Sequence, residues 1–335
     1  MIRLKDIALR AGVSVMTVSK SLRDARDVSA ATKARIRQIA ESMGYVPDTA
    51  ARGLRTNTTK LFGVVISSIT NPVFARLVSA IEENAFENGY EIVLLHSFNE
   101  PAREERCLRR LLARRVDGMF ISPAYRLESE SRIYQTVVAR GTPTVLLGHP
   151  AAFCQGFPFV TTDDLVASYQ ATQHLVKLGH RRIAFLSGAM MAPWAAERFE
   201  GYRRALREVG QEVDEKLVFQ AGSTFEEGAK AATQLLNEGC QATAIQAVND
   251  LVAVGCADTL LKQGLRIPED ISLIGFGNVQ IAEHYRVPLT TMRQAKFRLG
   301  AAAVEMMLKL LRGERPDSRR IPAELIVRQS TAART

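Results

Sequence analysis

Several features that would assign a chemistry at once are missing from this chain of 335 residues. No apolar stretch approaches the length that crosses a bilayer; LFGVVIS from Leu61 and TVLLG from Thr144 are among the longest, and the opening MIRLKDIALR lacks a signal-peptide core. A cytoplasmic protein with no membrane segment is expected. Cysteine is scarce, and Cys107, Cys154, Cys240 and Cys256 stand far apart, with no Cys-x-x-Cys pair and no histidine at ligand spacing. Buried, reduced thiols follow, rather than disulfides or a zinc site. The five histidines, His96, His149, His174, His180 and His284, form no metal or nucleophile motif, and His174 and His180 are six apart, which does not suit one helical ligand face. A nucleotide fingerprint is lacking too: GFGNVQ, residues 275 to 280, places Gln280 where the third glycine would stand. Neither catalysis, nor a metal, nor an organic cofactor is expected.

What is present is enough apolar material for a real core, 47% hydrophobic against 24% charged residues, and enough length for two or three domains. The formal net charge of +9 is unevenly spread. Residues 1 to 60 carry 12 Lys or Arg against 5 Asp or Glu, and the other 275 carry 32 against 30. A small basic segment on a nearly neutral body marks contact with a polyanion, and nucleic acid is the leading candidate.

Within that segment Leu4, Ile7, Ala8 and Ala11 fall at helical spacing, Gly12 supplies a turn, and Ser14 can cap a second helix whose Val18 and Leu22 point inward. Ser29 can cap a third, with Ile36, Ile39, Ala40 and Met43 as its apolar stripe and Gly44 as its end. Three such helices make a helix-turn-helix unit. Val15 and Met16 then face outward, an odd use of apolar side chains unless the second helix enters a major groove. There they can pack on thymine methyls while Lys20 reaches guanine acceptors. An ordinary helical hairpin packed on another part of the protein is the bland alternative.

The run IRLKDIALRAGVSVMTVSKSL, followed by GYVPDTAARGLRT and LFGVVISSITNPVF, resembles the LacI/GalR family of bacterial transcription regulators, and the likeness extends in order along essentially the whole chain. The resemblance implies that Ser14, Thr17 and Ser19 contact phosphates and that Val15, Met16 and Lys20 read bases. The family often has Arg at the place of Lys20, so a two-point grip on guanine becomes a one-point contact. It also implies that PDTAARGLRTNTT, residues 47 to 59, is a hinge that folds on the operator. Leu54 would wedge into the minor groove there, with Ala51 and Arg55 beside it. An unstructured tether is the plain alternative.

From Leu61 onward, apolar runs alternate with amphipathic ones: LFGVVISS, YEIVLLHS, VDGMFISP and TPTVLLG, then RRIAFLSG, KLVFQAG, AIQAVND and ISLIGFG. This pattern predicts two parallel, doubly wound halves with a cleft beyond the carboxyl ends of their strands. The expected fold is therefore an N-terminal all-α helix-turn-helix domain plus an α/β core of two doubly wound parallel-sheet subdomains, periplasmic-binding-protein-like by the resemblance. The expected divisions are residues 1–47 for the DNA-binding domain, 48–59 for the hinge and 60–335 for an effector-binding and dimerisation core. The core's first subdomain takes about 60–161 plus 290–320, and its second about 162–289 plus 321–335.

By the same resemblance Arg198 holds effector oxygens and Asn249 with Asp250 forms an effector-binding pair, although a surface salt bridge for Arg198 and a helix cap for Asn249 or Asp250 remain open. Asn71 and Phe74 are expected on the opposite wall, Asn71 being equally able to act only as a cap. Two aspartates common in relatives that bind neutral sugars are replaced by Gly148 and Gly277, with His149 and Asn278 standing next to the gaps. Trp194 is the single tryptophan, one turn before Arg198, and can offer a stacking face or simply pack in the core. The missing carboxylates favour an anionic ligand on Arg198, a sugar acid or phosphosugar over a neutral sugar. The expected protein is a repressor of a carbohydrate-utilisation operon, binding a near-palindromic double-stranded operator as a homodimer under control of a small-molecule effector. A constitutive DNA-binding protein with a vestigial cleft and a sugar-processing enzyme with a DNA anchor are the rivals.

Overall fold

Gly12 takes a left-handed backbone (φ 65°, ψ 32°) that ends helix α1 (Leu4–Ala11) and turns the chain into α2 (Val15–Leu22). A glycine adopts that conformation at no steric cost. Ser14 caps α2 by accepting from the Thr17 amide at 3.1 Å, and Ser29 caps α3 (Ala30–Ser42) by accepting from the Thr32 amide at 3.2 Å. Ile7, Ala8, Ala11, Val18, Ile36 and Ala40 close into one small buried core. This computed structural model describes residues 2–46, 58–239 and 241–334, and it divides after Thr59 into two compact units. Ala51, Leu54, Arg55 and Cys240 lie outside the described residues.

The second unit begins with β1 (Leu61–Ile66), α4 (Pro72–Glu87), β2 (Glu91–His96), α5 (Pro101–Ala113), β3 (Gly118–Ile121), α6 (Arg132–Ala139), β4 (Thr144–Leu147) and β5 (Phe159–Thr162). It continues with α7 (Asp164–Lys177), β6 (Ile183–Ser187), α8 (Pro193–Arg207), β7 (Val218–Gln220), α9 (Phe225–Asn237), β8 (Ala244–Ala247), α10 (Asp250–Lys262) and β9 (Ser272–Gly277). The last elements are α11 (Gln280–His284), β10 (Thr290–Arg293), α12 (Lys296–Leu311), β11 (Arg319–Ile321) and β12 (Glu324–Ile326). Two six-stranded sheets result, in the orders β11-β5-β4-β3-β1-β2 and β12-β10-β9-β8-β6-β7. Pairing is parallel throughout except for β12 against β10. Both faces of each sheet are covered. On β1, Phe62, Val64 and Ile66 join the core under α4 and α12, while Val65 joins the one under α5 and α6. That alternation is the two-residue period of a strand.

The expected subdomain division needs correcting at its crossovers. The expected bounds place residues 290–293 with the first half, yet β10 pairs with β9 in the second sheet, from Thr290 opposite Ile274 to Arg293 opposite Gly277. Thr290, Thr291 and Met292 are buried there, and β10 fills the position between β9 and β12. Thr162 and Ile321 stay with the first sheet as the last residues of β5 and β11. The chain thus passes between the sheets after Thr162, after Arg293 and after Ile321.

Helices within the second half approach closely. A Cβ on Gly201 of α8 would lie 2.3 Å from the Leu165 carbonyl oxygen of α7, and one on Gly255 of α10 would lie 1.9 Å from the Phe225 carbonyl oxygen of α9. Cys107, Cys154 and Cys256 are buried free thiols. Among the described residues no helix is long and apolar enough to cross a membrane.

Candidate functional site

The surface of α2 carries the first candidate. Val18 points into the trihelical core, which turns Val15 and Met16 outward with exposures of 46% and 64%. Ser14 both caps the helix and lies 2.9 Å from the Thr17 hydroxyl. Ser19 is half-buried, its carbonyl accepting from Arg23 Nε at 2.9 Å. Lys20 is not free in this structure: its ammonium pairs with Asp27, whose carboxyl is held below its usual value chiefly by that hydrogen bond.

The second candidate is a cavity of about 470 Å³ lined by residues of both sheets' subdomains. Its walls come from the carboxyl ends of strands, as in other open α/β sheets: Ser67 after β1, Ser122 after β3, His149 after β4, Asn249 after β8 and Phe276 of β9. Of the expected ligand residues, Asn71, Phe74, His149, Trp194, Arg198, Asn249 and Asp250 line it. Asn278 is not among the lining residues: its Oδ1 accepts from Arg328 Nη2 at 2.8 Å, and its carbonyl accepts from Lys296. The physical reason is the C-terminal strand region, whose arginine takes the amide that a ligand would have needed.

Several lining residues already have structural partners. Asn71 caps α4 through the Val73 amide at 3.0 Å. Asn249 caps α10 through the Val252 amide at 2.8 Å, while its amide group donates to the Ser223 carbonyl at 3.1 Å. Asp250 accepts from the Thr291 hydroxyl at 2.6 Å and the Val279 amide at 2.8 Å. Burial pushes its carboxyl up, and those two donors offset part of that effect.

Arg198 does not meet Asp250. Its Nε and Nη2 lie 2.7 and 2.6 Å from Asp164 Oδ1, and its Nη1 donates to the Val248 carbonyl at 2.5 Å. The guanidinium carbon sits 3.6 Å from the Phe276 ring centroid and 5.0 Å from that of Trp194. Asp164 Oδ2 is 2.8 Å from His149 Nε2, across the cleft. His149 Nδ1 faces Glu197 at 3.4 Å, and Glu197 in turn accepts two hydrogen bonds from Arg320 at 2.8 Å each. Burial pushes the Asp164 carboxyl up, but the Arg198 charge and the His149 contact outweigh it and hold it below the usual carboxylate range.

Asp164, which lines the cavity, and Glu197 beside it are the partners of Arg198 and His149 that sequence reasoning missed. Asp164 follows a strand of four residues, β5, that the alternation of long elements did not reveal. Once β5 is recognised, the rule that sites lie beyond strand ends selects the Asp163-Asp164 doublet directly.

Comparison with known proteins agrees with this division. Residues 3–48 match the family described as bacterial regulatory proteins, lacI family, and residues 59–329 match periplasmic binding proteins and sugar binding domain of LacI family. The chain is 32% identical over 332 residues to the HTH-type transcriptional repressor CytR of Escherichia coli (strain K12), spanning 98% of this chain and 96% of that protein. It is 30% identical over 337 residues to the HTH-type transcriptional repressor PurR of Pasteurella multocida (strain Pm70), spanning 100% of both. Among solved structures, the lac repressor dimer bound to operator and the anti-inducer ONPF is similar with a TM-score of 0.87 at 28% identity, over 99% of each chain. A complex of the transcriptional regulator CelR with cellobiose gives 0.74 at 29% identity, over 98% of this chain and 100% of that one. Two matched regions that together take in nearly the whole chain make it a member of the LacI family of bacterial regulatory proteins.

Proposed function

We propose that this LacI-family regulator is a cytoplasmic, non-catalytic transcription repressor. It binds a near-palindromic operator as a homodimer and alters its DNA affinity when a small sugar or sugar-derived metabolite occupies the cavity. The observation that carries the DNA half is the pair of apolar side chains held in water on α2, Val15 and Met16, on a helix whose opposite face is locked by Val18. In a major groove they pack on thymine methyls, with Lys20 on a guanine edge and Ser14, Thr17 and Ser19 at phosphates. Leu54, flanked by Ala51 and Arg55, is assigned to the minor groove at the centre of the site. A small helical unit reads only half of such a site, so two-fold DNA calls for a two-fold protein, as in the lac repressor dimer on its operator.

The effector half rests on the cavity. Arg198 and Asn249 offer polar groups, Trp194 and Phe74 offer apolar walls, and His149 and Asp250 lie within reach of the same space. A ligand there touches both subdomains, so it has different affinities for open and closed forms, and that difference is what shifts DNA binding. Fluorescence anisotropy with a labelled operator is the direct test. The dimer should bind it with a sequence preference, and at least one sugar or sugar derivative should change that affinity. Equal binding to scrambled DNA would defeat the reading.

A further inference from the structure

Arg198 offers an incoming ligand less charge than its place in the cleft suggests. Among the described residues lining the cavity, Arg198 and His149 are the basic ones, and Asp164 and Asp250 the acidic ones. Asp250 is committed to Thr291 and Val279. Asp164 is committed to Arg198 itself, through one oxygen, and to His149 through the other. Both partners of the Arg198–Asp164 pair are buried, at 7% and 2% exposure.

Accepting the cavity as the effector site, we propose that Asp164 sets the charge of the ligand. It holds, from within the chain, the place on Arg198 that a ligand carboxylate or phosphate would take, so the site selects an uncharged, hydroxyl-bearing molecule. On its remaining N–H groups an anion would meet a charge that Asp164 already balances, and it could take the Nε and Nη2 edge of Arg198 only by displacing Asp164. That displacement would leave a buried carboxylate deprived of its main counter-charge beside a second negative group, and both desolvation and repulsion oppose it. A neutral ligand meets no such barrier. Arg198 has five N–H groups, and its contacts engage Nε, Nη1 and Nη2 once each, which leaves N–H directions for hydroxyl oxygens. Trp194 and Phe74 supply the apolar face such a molecule needs. The absence of carboxylates at Gly148 and Gly277 therefore does not make the site anion-selective, because Asp164 restores a negative charge from another strand end.

The test uses the full chain and inorganic phosphate as the anion probe. Calorimetry should detect no phosphate binding to the cavity of the wild-type protein. Asp164→Asn should bind phosphate more tightly by on the order of tenfold or more, since a charge-assisted pair becomes available. The double variant Asp164→Asn with Arg198→Gln should lose that gain. Equal phosphate affinity in wild type and Asp164→Asn, or a gain that survives in the double variant, overturns the assignment. A second measurement needs no variant: release of operator by the wild-type dimer is compared between neutral sugars and their uronate, aldonate and phosphate relatives. Response to a charged member with an inactive neutral parent also overturns it, and response to a neutral member supports it. If no molecule of either charge alters operator binding while the phosphate gain appears in Asp164→Asn, the effector reading fails and the charge assignment stands.

Discussion

In the proposed complex Lys20 would exchange partners to reach DNA, because its ammonium is already held by Asp27. Lys20→Ala should weaken operator binding and relax preference at one symmetric base pair by about 1–3 kcal/mol, whereas Thr17→Ala should weaken binding without reshaping preference. Binding to a panel of operator variants separates the two. Asp27→Asn frees the lysine and removes a like charge from the DNA-facing side, so it should raise affinity for any duplex and steepen the salt dependence. An unchanged salt slope would count against Lys20 as a DNA ligand. In the cavity, Asp164 and Asp250 should leave opposite marks on stability. Asp164 is held below the usual carboxylate range of about 4, so its stabilisation is present above that range and is lost as pH falls through its folded value. Asp250 is raised, so its contribution is present at low pH and is lost as pH rises through its folded value. Asp164→Asn should flatten the acid limb of a stability–pH curve, and Asp250→Asn should flatten the side toward neutrality. Denaturant unfolding across pH checks both, and parallel curves for wild type and the variants would contradict the assignment.

Between elements, the packing of α7 on α8 depends on what Gly201 lacks. Gly201→Ala pushes a methyl group into the Leu165 carbonyl and should cost roughly 1–3 kcal/mol as the helices part. The unfolding midpoint should drop with an unchanged denaturant slope. With Leu54 in the minor groove as proposed, Leu54→Ala should keep ligand binding while losing much of the operator bend, which circular-permutation gel shifts report. The longer elements of this fold were legible from the residues alone, because α4, α5 and β1 each run long enough for apolar spacing to show its period. So were the caps at Ser14 and Ser29 and the outward Val15 and Met16. The short strands β5, β10, β11 and β12 were not, since three or four residues, several of them Thr or Arg, carry no period of their own. They are strands because distant segments supply the neighbours. The same limit governed the site. Arg198 was found, but its partner stands 34 residues earlier behind an unrecognised strand, and Asn278 was spent on an arginine 50 residues later.

For the molecule as a whole, the proposed function makes effector and operator compete or cooperate through one equilibrium between cleft states. A ligand present at about 100 times its dissociation constant should add roughly 2.7 kcal/mol to the stability of the state it binds. A thermal-shift screen of the protein should therefore find the effector without knowledge of the operator, and its hits should be the molecules that alter operator affinity. Hits that never affect DNA binding would place the ligand site outside the switch. The three passages between the sheets bear on how such a repressor comes into being. The reading head has all of its core residues by Ala40, so it is complete early in translation. The sensor is not: the first sheet waits for α12 and β11, and the second for β10 and β12, so both halves finish together near residue 326. A nascent chain on the ribosome thus acquires a folded reading head long before it acquires anything able to answer a metabolite. Polypeptides released early would be unresponsive to the small-molecule signal.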